Sequence, residues 1–331
     1  MIDKLVLENF TAFSKLDISF SPGINIFIGE NGTGKTHVLK VLYSVLAATQ
    51  EEKTISTKMV SVFLPDRNWL NGLVKRDNKS VVAKFTVCKN GKELDCEIGS
   101  STFISNHQKE WDEMEKDNAI FIPVKEMLAN APGFNSLYKE REVHFEEVYA
   151  DIISKALLPK KREITPPYDD LSKKLEKIMG GSIYAKDEQF YLQGNSFDLE
   201  FPLLAEGMRK LGLLWILLQN GSLDKGSVLF WDEPEANMNP SLVKIIIEVL
   251  LELQRNGVQI FIATHNYIVL KELDIQKKTD DKVRFFSFLR NESDISVQFG
   301  GNYLDIVPNK ISEAYTEVYN KVVQISLGGN S

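Results

Sequence analysis

The segment that most constrains the fold is glycine-rich and lies near the N-terminus: Gly29, Glu30, Asn31, Gly32, Thr33, Gly34, Lys35 and Thr36. An apolar run precedes it, and an amphipathic helical pattern over residues 35–48 follows it. The segment matches G-x-x-x-x-G-K-[ST], a strand-to-helix turn whose backbone N–H groups wrap phosphate oxygens. We expect Lys35 to bridge the β- and γ-phosphates and the Thr36 hydroxyl to bind Mg²⁺, and we include His37 among the nucleotide contacts. The sequence therefore predicts a nucleotide site.

Polar side chains that could take part in catalysis follow two further apolar, strand-like runs. The apolar run 228–231 is followed by Asp232 and Glu233, and the run 258–263 is followed by Thr264 and His265. We predict that Asp232, together with Thr36, holds Mg²⁺ through water, and that Glu233 orients or deprotonates an attacking water. A histidine at a strand end can hydrogen-bond the γ-phosphate and that water. The predicted catalytic residues are therefore Glu233, His265 and Lys35.

The order of the other patterns predicts the fold class. Strand and helix patterns alternate over the last third of the chain, which is typical of a mostly parallel sheet covered by helices. Residues near 60–104 predict an antiparallel β layer, in which the turn Asn90-Gly91 pairs Ala83 with Ile98, Phe85 with Cys96 and Val87 with Leu94. This register places Cys88 and Cys96 on opposite faces, so we expect no disulfide between them.

The middle of the chain is rich in charged residues and helix formers. Residues 145–158 and 171–179 are its clearest helical patterns, prolines 159, 166 and 167 break the region between them, and a hairpin pattern covers residues 183–201. We therefore predict an α/β fold with an N-terminal lobe (1–105), an inserted, mainly helical subdomain with one core strand and a hairpin (106–200), and a C-terminal lobe (201–331).

Composition limits the classes of protein to which the chain can belong. No apolar run approaches the ~20 residues that cross a bilayer, and the N-terminus has no signal-peptide pattern, which predicts a cytoplasmic protein without membrane contact. The net charge is −7 and the isoelectric point about 5.4, so DNA contact requires a local basic patch. The clusters Lys160-Lys161-Arg162 and Lys173-Lys174-Lys177 could supply one, although a solvated surface explains them equally well.

These motifs, in this order, resemble the ABC ATPases. The opening residues 5–13, the segment 22–36 and the segment 232–240, Asp-Glu-Pro-Glu-Ala-Asn-Met-Asn-Pro, are similar to the soluble branch that includes RecF, the SMC proteins and the OLD nucleases. The resemblance covers roughly residues 1–45 and 200–270. It implies an ABC-ATPase P-loop fold, binding of ATP and Mg²⁺, ATP hydrolysis, and a homodimer or higher oligomer in which two subunits enclose the nucleotides.

The resemblance also implies a signature segment that completes the partner subunit's site, at Ala205, Gly207 and Arg209. Gly207 is the glycine of that signature, whereas Ala205 stands where a serine is usual. Loss of one hydroxyl donor to the γ-phosphate is expected to slow hydrolysis by about 10²-fold unless Arg209 or Lys210 compensates. Residues 237–239 occupy the D-loop position, and Val124-Lys125-Glu126 occupies the Q-loop position without a glutamine.

Several roles fit such an ATPase. The sequence argues against three of them. A transporter subunit would carry a stronger signature, an SMC protein would carry a long heptad insertion, and an OLD nuclease would carry a further nuclease domain after the ATPase core. The remaining interpretation is a stand-alone ATPase that resembles subunits of bacterial anti-phage systems of the PARIS and Septu types, which control a separate effector. The alternatives are a RecF-like repair ATPase that binds DNA on ATP-driven dimerisation, and an ATP-binding scaffold with negligible turnover.

Overall fold

The computed structural model of the chain describes residues 1–76, 82–141, 143–196, 198–292, 294–307 and 309–327. The strands in these ranges are β1 (Ile2–Phe10), β2 (Phe13–Ser19), β3 (Ile24–Gly29), β4 (Ala83–Lys89), β5 (Lys92–Ile98), β6 (Phe103–Asn106), β7 (Ala119–Ile122), β8 (Ser182–Lys186), β9 (Gln189–Gln193), β10 (Asp198–Glu200), β11 (Val228–Asp232), β12 (Gln259–Thr264), β13 (Val283–Asn291) and β14 (Asp294–Gly300). The α-helices are α1 (Lys35–Glu51), α2 (Ile55–Phe63), α3 (Gln108–Asp112), α4 (Phe134–Arg141), α5 (Glu147–Ala156), α6 (Pro166–Met179), α7 (Glu206–Gln219), α8 (Pro240–Arg255), α9 (Tyr267–Gln276) and α10 (Lys310–Ser326).

A six-stranded sheet of order β14-β13-β3-β12-β11-β7 forms the centre of the fold. Its strands from β13 to β7 are parallel, and β14 is added antiparallel at one edge. Ile28 of β3 lies opposite Thr264 of β12, and Ala263 lies opposite Asp232 of β11. Because parallel strands end at the same edge of a sheet, this register brings the segments that follow β3, β11 and β12 together.

The two faces of this sheet belong to different apolar cores. Ile24, Ile26 and Ile28 pack on one side, in the core that includes α7 and α8, whereas Phe27 packs on the other side with α1 and the antiparallel strands. The alternation follows from the period of two in a strand. The antiparallel sheet has the order β2-β1-β4-β5-β6, and a small third sheet has the order β10-β9-β8. The predicted α/β architecture is therefore confirmed.

The hairpin of β4 and β5 has the predicted register. Ala83 pairs with Ile98, Phe85 with Cys96 and Val87 with Leu94, so that prediction is confirmed. Asn90 and Gly91 have φ values of 49° and 74°, as the tight turn requires. Cys88 and Cys96 are both buried and free.

The predicted antiparallel β layer near residues 60–104 was wrong over residues 60–76, and residues 77–81 lie outside the described ranges. Residues 55–63 form α2 and residues 66–68 and 70–73 form short 3₁₀ turns. The Thr54 side chain caps α2 by accepting a hydrogen bond from the Thr57 N–H. Ile55, Met59 and Val62 are its buried apolar residues, at the spacing of one helix face.

Two details of the middle region also differ from expectation. Pro166 and Pro167 begin α6 rather than breaking the chain before it, because proline fits the first turn of a helix. The hairpin predicted over residues 183–201 is formed by β8 and β9, which pair antiparallel around residues 187–188, and β10 extends it as a third strand paired with β9. The predicted core strand is β7, which pairs with β11. No helix in the described ranges is long and apolar enough to cross a membrane.

Candidate active site

The glycine-rich loop lies between β3 and α1 and is held closely by its neighbours. Gly29 and Gly34 have φ values of 153° and 87°, a region that favours glycine. A Cβ at Gly34 would lie 2.6 Å from the Phe13 ring, and a Cβ at Gly29 would lie 2.4 Å from the Phe288 carbonyl oxygen. Glycine is therefore required at both positions by conformation and by space.

The Lys35 side chain is folded back along the loop. Its Nζ donates to the carbonyl oxygens of Gly29, at 2.8 Å, and Glu30, at 2.9 Å. Burial lowers the pKa of Lys35, and the nearby carboxylates of Glu233 and Asp232 act in the opposite direction. Backbone carbonyls can be exchanged for phosphate oxygens at little cost, so this ammonium group is placed to bind a triphosphate.

The two predicted magnesium ligands are in direct contact. The Thr36 hydroxyl donates to Asp232 Oδ2 at 2.9 Å. Asp232 is buried, and burial raises its pKa to about 6 despite the hydrogen bond from Thr36. A cation beside this carboxylate would offset the cost of its burial, and hydroxyl and carboxylate oxygens are ligands that Mg²⁺ prefers. The pair therefore fits a magnesium ion.

Glu233 and His265 meet at the end of β11 and β12. His265 Nδ1 lies 2.8 Å from Glu233 Oε1. The Glu233 N–H donates to the Ala263 carbonyl oxygen at 2.9 Å, while its own φ of 46° turns the chain out of the strand. A non-glycine residue in this region is strained, and such strain is concentrated at functional sites. The geometry presents a half-exposed carboxylate–imidazole pair beside the loop.

Glu235 is a supporting residue for which the sequence motifs predicted no role. The Thr264 hydroxyl donates to its Oε1 at 2.6 Å, and the same hydroxyl accepts a hydrogen bond from the Asn266 N–H. Burial raises the pKa of Glu235. This contact ties the segment after β11 to the segment after β12, and so fixes Glu233 relative to His265. The repeated acidic residues of Asp-Glu-Pro-Glu are the sequence signal that could have revealed it.

The signature residues lie at the start of α7, and their contacts are with other parts of the same chain. Gly207 packs so closely on α8 that a Cβ would lie 2.9 Å from Leu242 Cδ1. Arg209 forms an ion pair with Glu126 at 2.6 Å and donates to the Leu204 carbonyl oxygen at 2.9 Å. Among the described residues, no hydrogen bond or ion pair joins Ala205, Gly207 or Arg209 to the glycine-rich loop.

The remaining predicted contact, His37, lies on α1. Its ring centroid is 5.8 Å from that of Phe63. Burial, with a smaller effect from Lys40, lowers the pKa of His37 to about 4, so its imidazole is neutral at pH 7. Its role in nucleotide binding stays a prediction.

Comparisons with known proteins place these motifs in a family context. Residues 99–271, more than half of the chain, match the family described as "AAA domain, putative AbiEii toxin, Type IV TA system", and residues 1–126 match "AAA ATPase domain". The DNA replication and repair protein RecF of Lactobacillus acidophilus is 34% identical over 93 residues, which are 28% of this chain and 24% of that protein. RecF of Lysinibacillus sphaericus is 34% identical over 92 residues, with the same coverage. The chain thus spans about a quarter of the length of these relatives.

Solved structures show the same fold. An SMC head bound to the C-terminal winged-helix domain of ScpA has a TM-score of 0.60 and 14% identity, covering 92% of this chain and 98% of that one. The SMC head domain from Thermotoga maritima has a TM-score of 0.53 and 14% identity, covering 90% and 98%. At this identity the likeness establishes an SMC-head-like fold and nothing further.

Proposed function

Because the chain belongs to the AAA-type ATPase domain family matched over residues 99–271, in the RecF and SMC branch of P-loop ATPases, we propose that it binds Mg-ATP and hydrolyses it to ADP and phosphate. The glycine-rich loop and Lys35 hold the triphosphate. Thr36 and Asp232 hold magnesium. Glu233 and His265 act on the attacking water.

Each side chain has a defined part in this reaction. The loop N–H groups and the Lys35 ammonium bind phosphate oxygens and stabilise negative charge as the bond between the β- and γ-phosphates breaks. Glu233 accepts the proton of the water whose oxygen attacks the γ-phosphorus, and His265 orients the Glu233 carboxylate through its 2.8 Å contact. Magnesium, when bound, neutralises phosphate charge and orients the triphosphate.

The observation that carries this proposal is the contact between Glu233 and His265. These side chains are 32 residues apart in sequence, yet they meet beside Lys35 and the Thr36–Asp232 pair. A histidine with a purely structural role would not require a carboxylate partner whose backbone is strained, as that of Glu233 is. The arrangement is that of a water-activating pair next to a phosphate-binding loop.

Two variants and a matched control test the proposal. Lys35→Ala should abolish binding of a fluorescent ATP analogue, because the loop loses its only buried ammonium among the residues described. Glu233→Gln should bind ATP with wild-type affinity and release phosphate at least about 10²-fold more slowly. Glu272→Gln, at a half-buried position of α9, should change neither quantity. Wild-type phosphate release by Glu233→Gln would refute the catalytic assignment.

We further propose that two subunits close on ATP, with Ala205, Gly207 and Arg209 of each facing the partner's nucleotide. The support is the position of these residues at the start of α7 together with the resemblance to ATPases that act as pairs. The solution mass of Glu233→Gln, measured with and without Mg-ATP, provides the test. A mass that doubles with ATP is expected, and a mass that stays at that of a monomer would contradict the proposal.

For the biological role, we propose control of a separate effector in anti-phage defence. The family description, which names a toxin of a type IV toxin–antitoxin system, supports this role, and so does the net charge of −7, which is unfavourable for coating DNA. Cells that express the chain with its neighbouring gene should resist phage, and Glu233→Gln should remove that resistance.

The similarity to RecF supports a second candidate, an ATPase that binds DNA when ATP closes the pair. ATP hydrolysis that rises several-fold with duplex DNA at 0.15 M salt would favour this role over effector control. Tight ATP binding without detectable phosphate release would instead favour an ATP-binding scaffold.

A further inference from the structure

An arginine of the β13–β14 hairpin contacts the glycine-rich loop from outside. Arg290, near the end of β13, donates from Nη2 to the Gly32 carbonyl oxygen at 2.6 Å. Its side chain is exposed, and no carboxylate in the described ranges lies within salt-bridge distance of it. The contact joins residues that are 258 positions apart.

Two anchors hold this hairpin against the loop. In the first, β13 pairs with β3 so that Phe288 lies opposite Gly29. In the second, the Asp294 carboxylate accepts hydrogen bonds from the Ser14 N–H at 2.9 Å and from Lys75 Nζ at 2.8 Å. Arg290 lies between these anchors, so the fold sets the position of its main chain beside the loop.

The contact with Gly32 determines which way one peptide of the loop faces. A trans peptide is planar, and its C=O and N–H groups point in opposite directions. When Arg290 holds the Gly32 carbonyl outward, the N–H of Thr33 must point to the inner side of the loop. Inward-facing N–H groups are the groups with which such a loop binds phosphate oxygens.

We propose that Arg290 is a positioning residue for the triphosphate, which orients the Gly32–Thr33 peptide so that its N–H group faces the bound phosphates. The inference rests on the proposed nucleotide binding at this loop. Arg290 acts through the peptide and not on the reacting atoms. It contributes equally to binding of ADP and ATP, because both carry the β-phosphate that the loop encloses.

Variants at this position separate the hydrogen bond from the charge. Arg290→Met, which cannot donate, should weaken binding of a fluorescent ADP about tenfold, which corresponds to about 1.4 kcal/mol. Arg290→Lys and Arg290→Gln keep an N–H donor and should recover at least part of the affinity. At saturating ATP, phosphate release by Arg290→Met should stay within about twofold of wild type, so the effect appears in KM rather than in kcat.

The chain provides a matched control on the same strand. Arg284 also donates to a main-chain carbonyl oxygen, that of Ser19, at 2.7 Å, but it makes no contact with the glycine-rich loop. Arg284→Met should leave nucleotide affinity unchanged. Both methionine variants should unfold within a few degrees of the wild-type protein in the absence of nucleotide.

The outcomes distinguish this inference from the proposed function. If wild-type protein binds nucleotide and Arg290→Met binds it within twofold as tightly, the inference is overturned and the proposed function stands. Equal losses in Arg290→Met and Arg284→Met would also overturn it, because they would indicate general damage to the hairpin. If wild-type protein binds no nucleotide, both fail.

Discussion

Replacing Lys58 with methionine is expected to destabilise the protein strongly. The Lys58 side chain is fully buried, and its Nζ lies 2.6 Å from Glu51 Oε1, 2.8 Å from Asp151 Oδ2 and 3.1 Å from Glu147 Oε2. These residues belong to α1, α2 and α5, so one ammonium group joins the helix that follows the glycine-rich loop to a helix of the middle region.

The magnitude follows from what the substitution leaves behind. Oxygens of the three carboxylates lie within 4.8 Å of one another, and methionine fills the space without neutralising them. Breaking a buried ion pair from one side costs about 3–5 kcal/mol, a large part of the about 5–15 kcal/mol that stabilises a typical fold. Lys53 contacts Glu51 and Glu147 as well, but its side chain is 40% exposed. After allowance for solvent screening, we expect Lys53→Met to cost less than about 1 kcal/mol.

Urea unfolding followed by circular dichroism, at pH 8 and pH 5, measures both effects. Burial raises the pKa of Asp151 to about 6 in the wild-type protein, and removal of Lys58 raises it further. The folded variant then binds more protons than its unfolded chain between about pH 4 and the raised pKa, so its stability increases as pH falls. The difference in free energy of unfolding between the Lys58→Met variant and the wild type should therefore be smaller at pH 5 than at pH 8. A deficit below about 1 kcal/mol at pH 8, or one that grows at pH 5, would refute the reasoning.

Three further outcomes are expected. Gly207→Ala should change the free energy of unfolding by less than about 1 kcal/mol in urea unfolding, because the new Cβ meets Leu242 Cδ1, the movable end of a side chain, at 2.9 Å and alanine favours the helix. Burial raises the pKa of Asp294, but hydrogen bonds from Lys75 and the Ser14 backbone outweigh it and lower the pKa to about 2. The stabilisation is therefore present above about pH 4 and lost as pH falls through 2, so Asp294→Asn should be less stable than wild type at pH 7, and the difference should be much smaller at pH 2 in thermal unfolding. Thr36→Val should weaken ATP binding in Mg²⁺ and leave binding in EDTA unchanged, as calorimetry can measure.

The part of the fold that carries the candidate site could be predicted because its signals are local. A strand ending at Gly29 and strands ending at Asp232 and Thr264 each have a clear apolar pattern, and parallel pairing brings such ends together without further information. The hairpin register was likewise fixed by the two residues Asn90 and Gly91.

Helix α2 was not predicted because its composition favours a strand, whereas the spacing of its apolar residues favours a helix. Its sequence is rich in β-branched and aromatic residues, which favour strands. The Thr54 cap and the helical spacing of Ile55, Met59 and Val62 prevailed, because that face is buried against the rest of the chain. Intrinsic propensity is a weak preference, and burial of an apolar face outweighs it.

Contacts between distant residues left no pattern in the sequence. Arg290 and Gly32 are 258 residues apart, and neither lies in a motif that names the other. Lys58 is a single charge in a pattern of mixed residues, yet the fold surrounds it with three carboxylates from two other helices. Such partners are chosen by tertiary packing, so they could be found only in the structure.

Ala205 stands in the signature segment where a serine is usual. Compensation by Arg209 or Lys210 requires a free cation, but Arg209 pairs with buried Glu126, and Lys210 Nζ donates to the Ala236 carbonyl oxygen at 2.7 Å. Either cation must leave its partner before it can reach a second subunit's phosphate, and release of Arg209 leaves a buried carboxylate unpaired. Compensation by Arg209 would therefore require the Glu126 segment to move together with α7. Without that movement, we expect the proposed hydrolysis to lack the missing hydroxyl donor and to be slow.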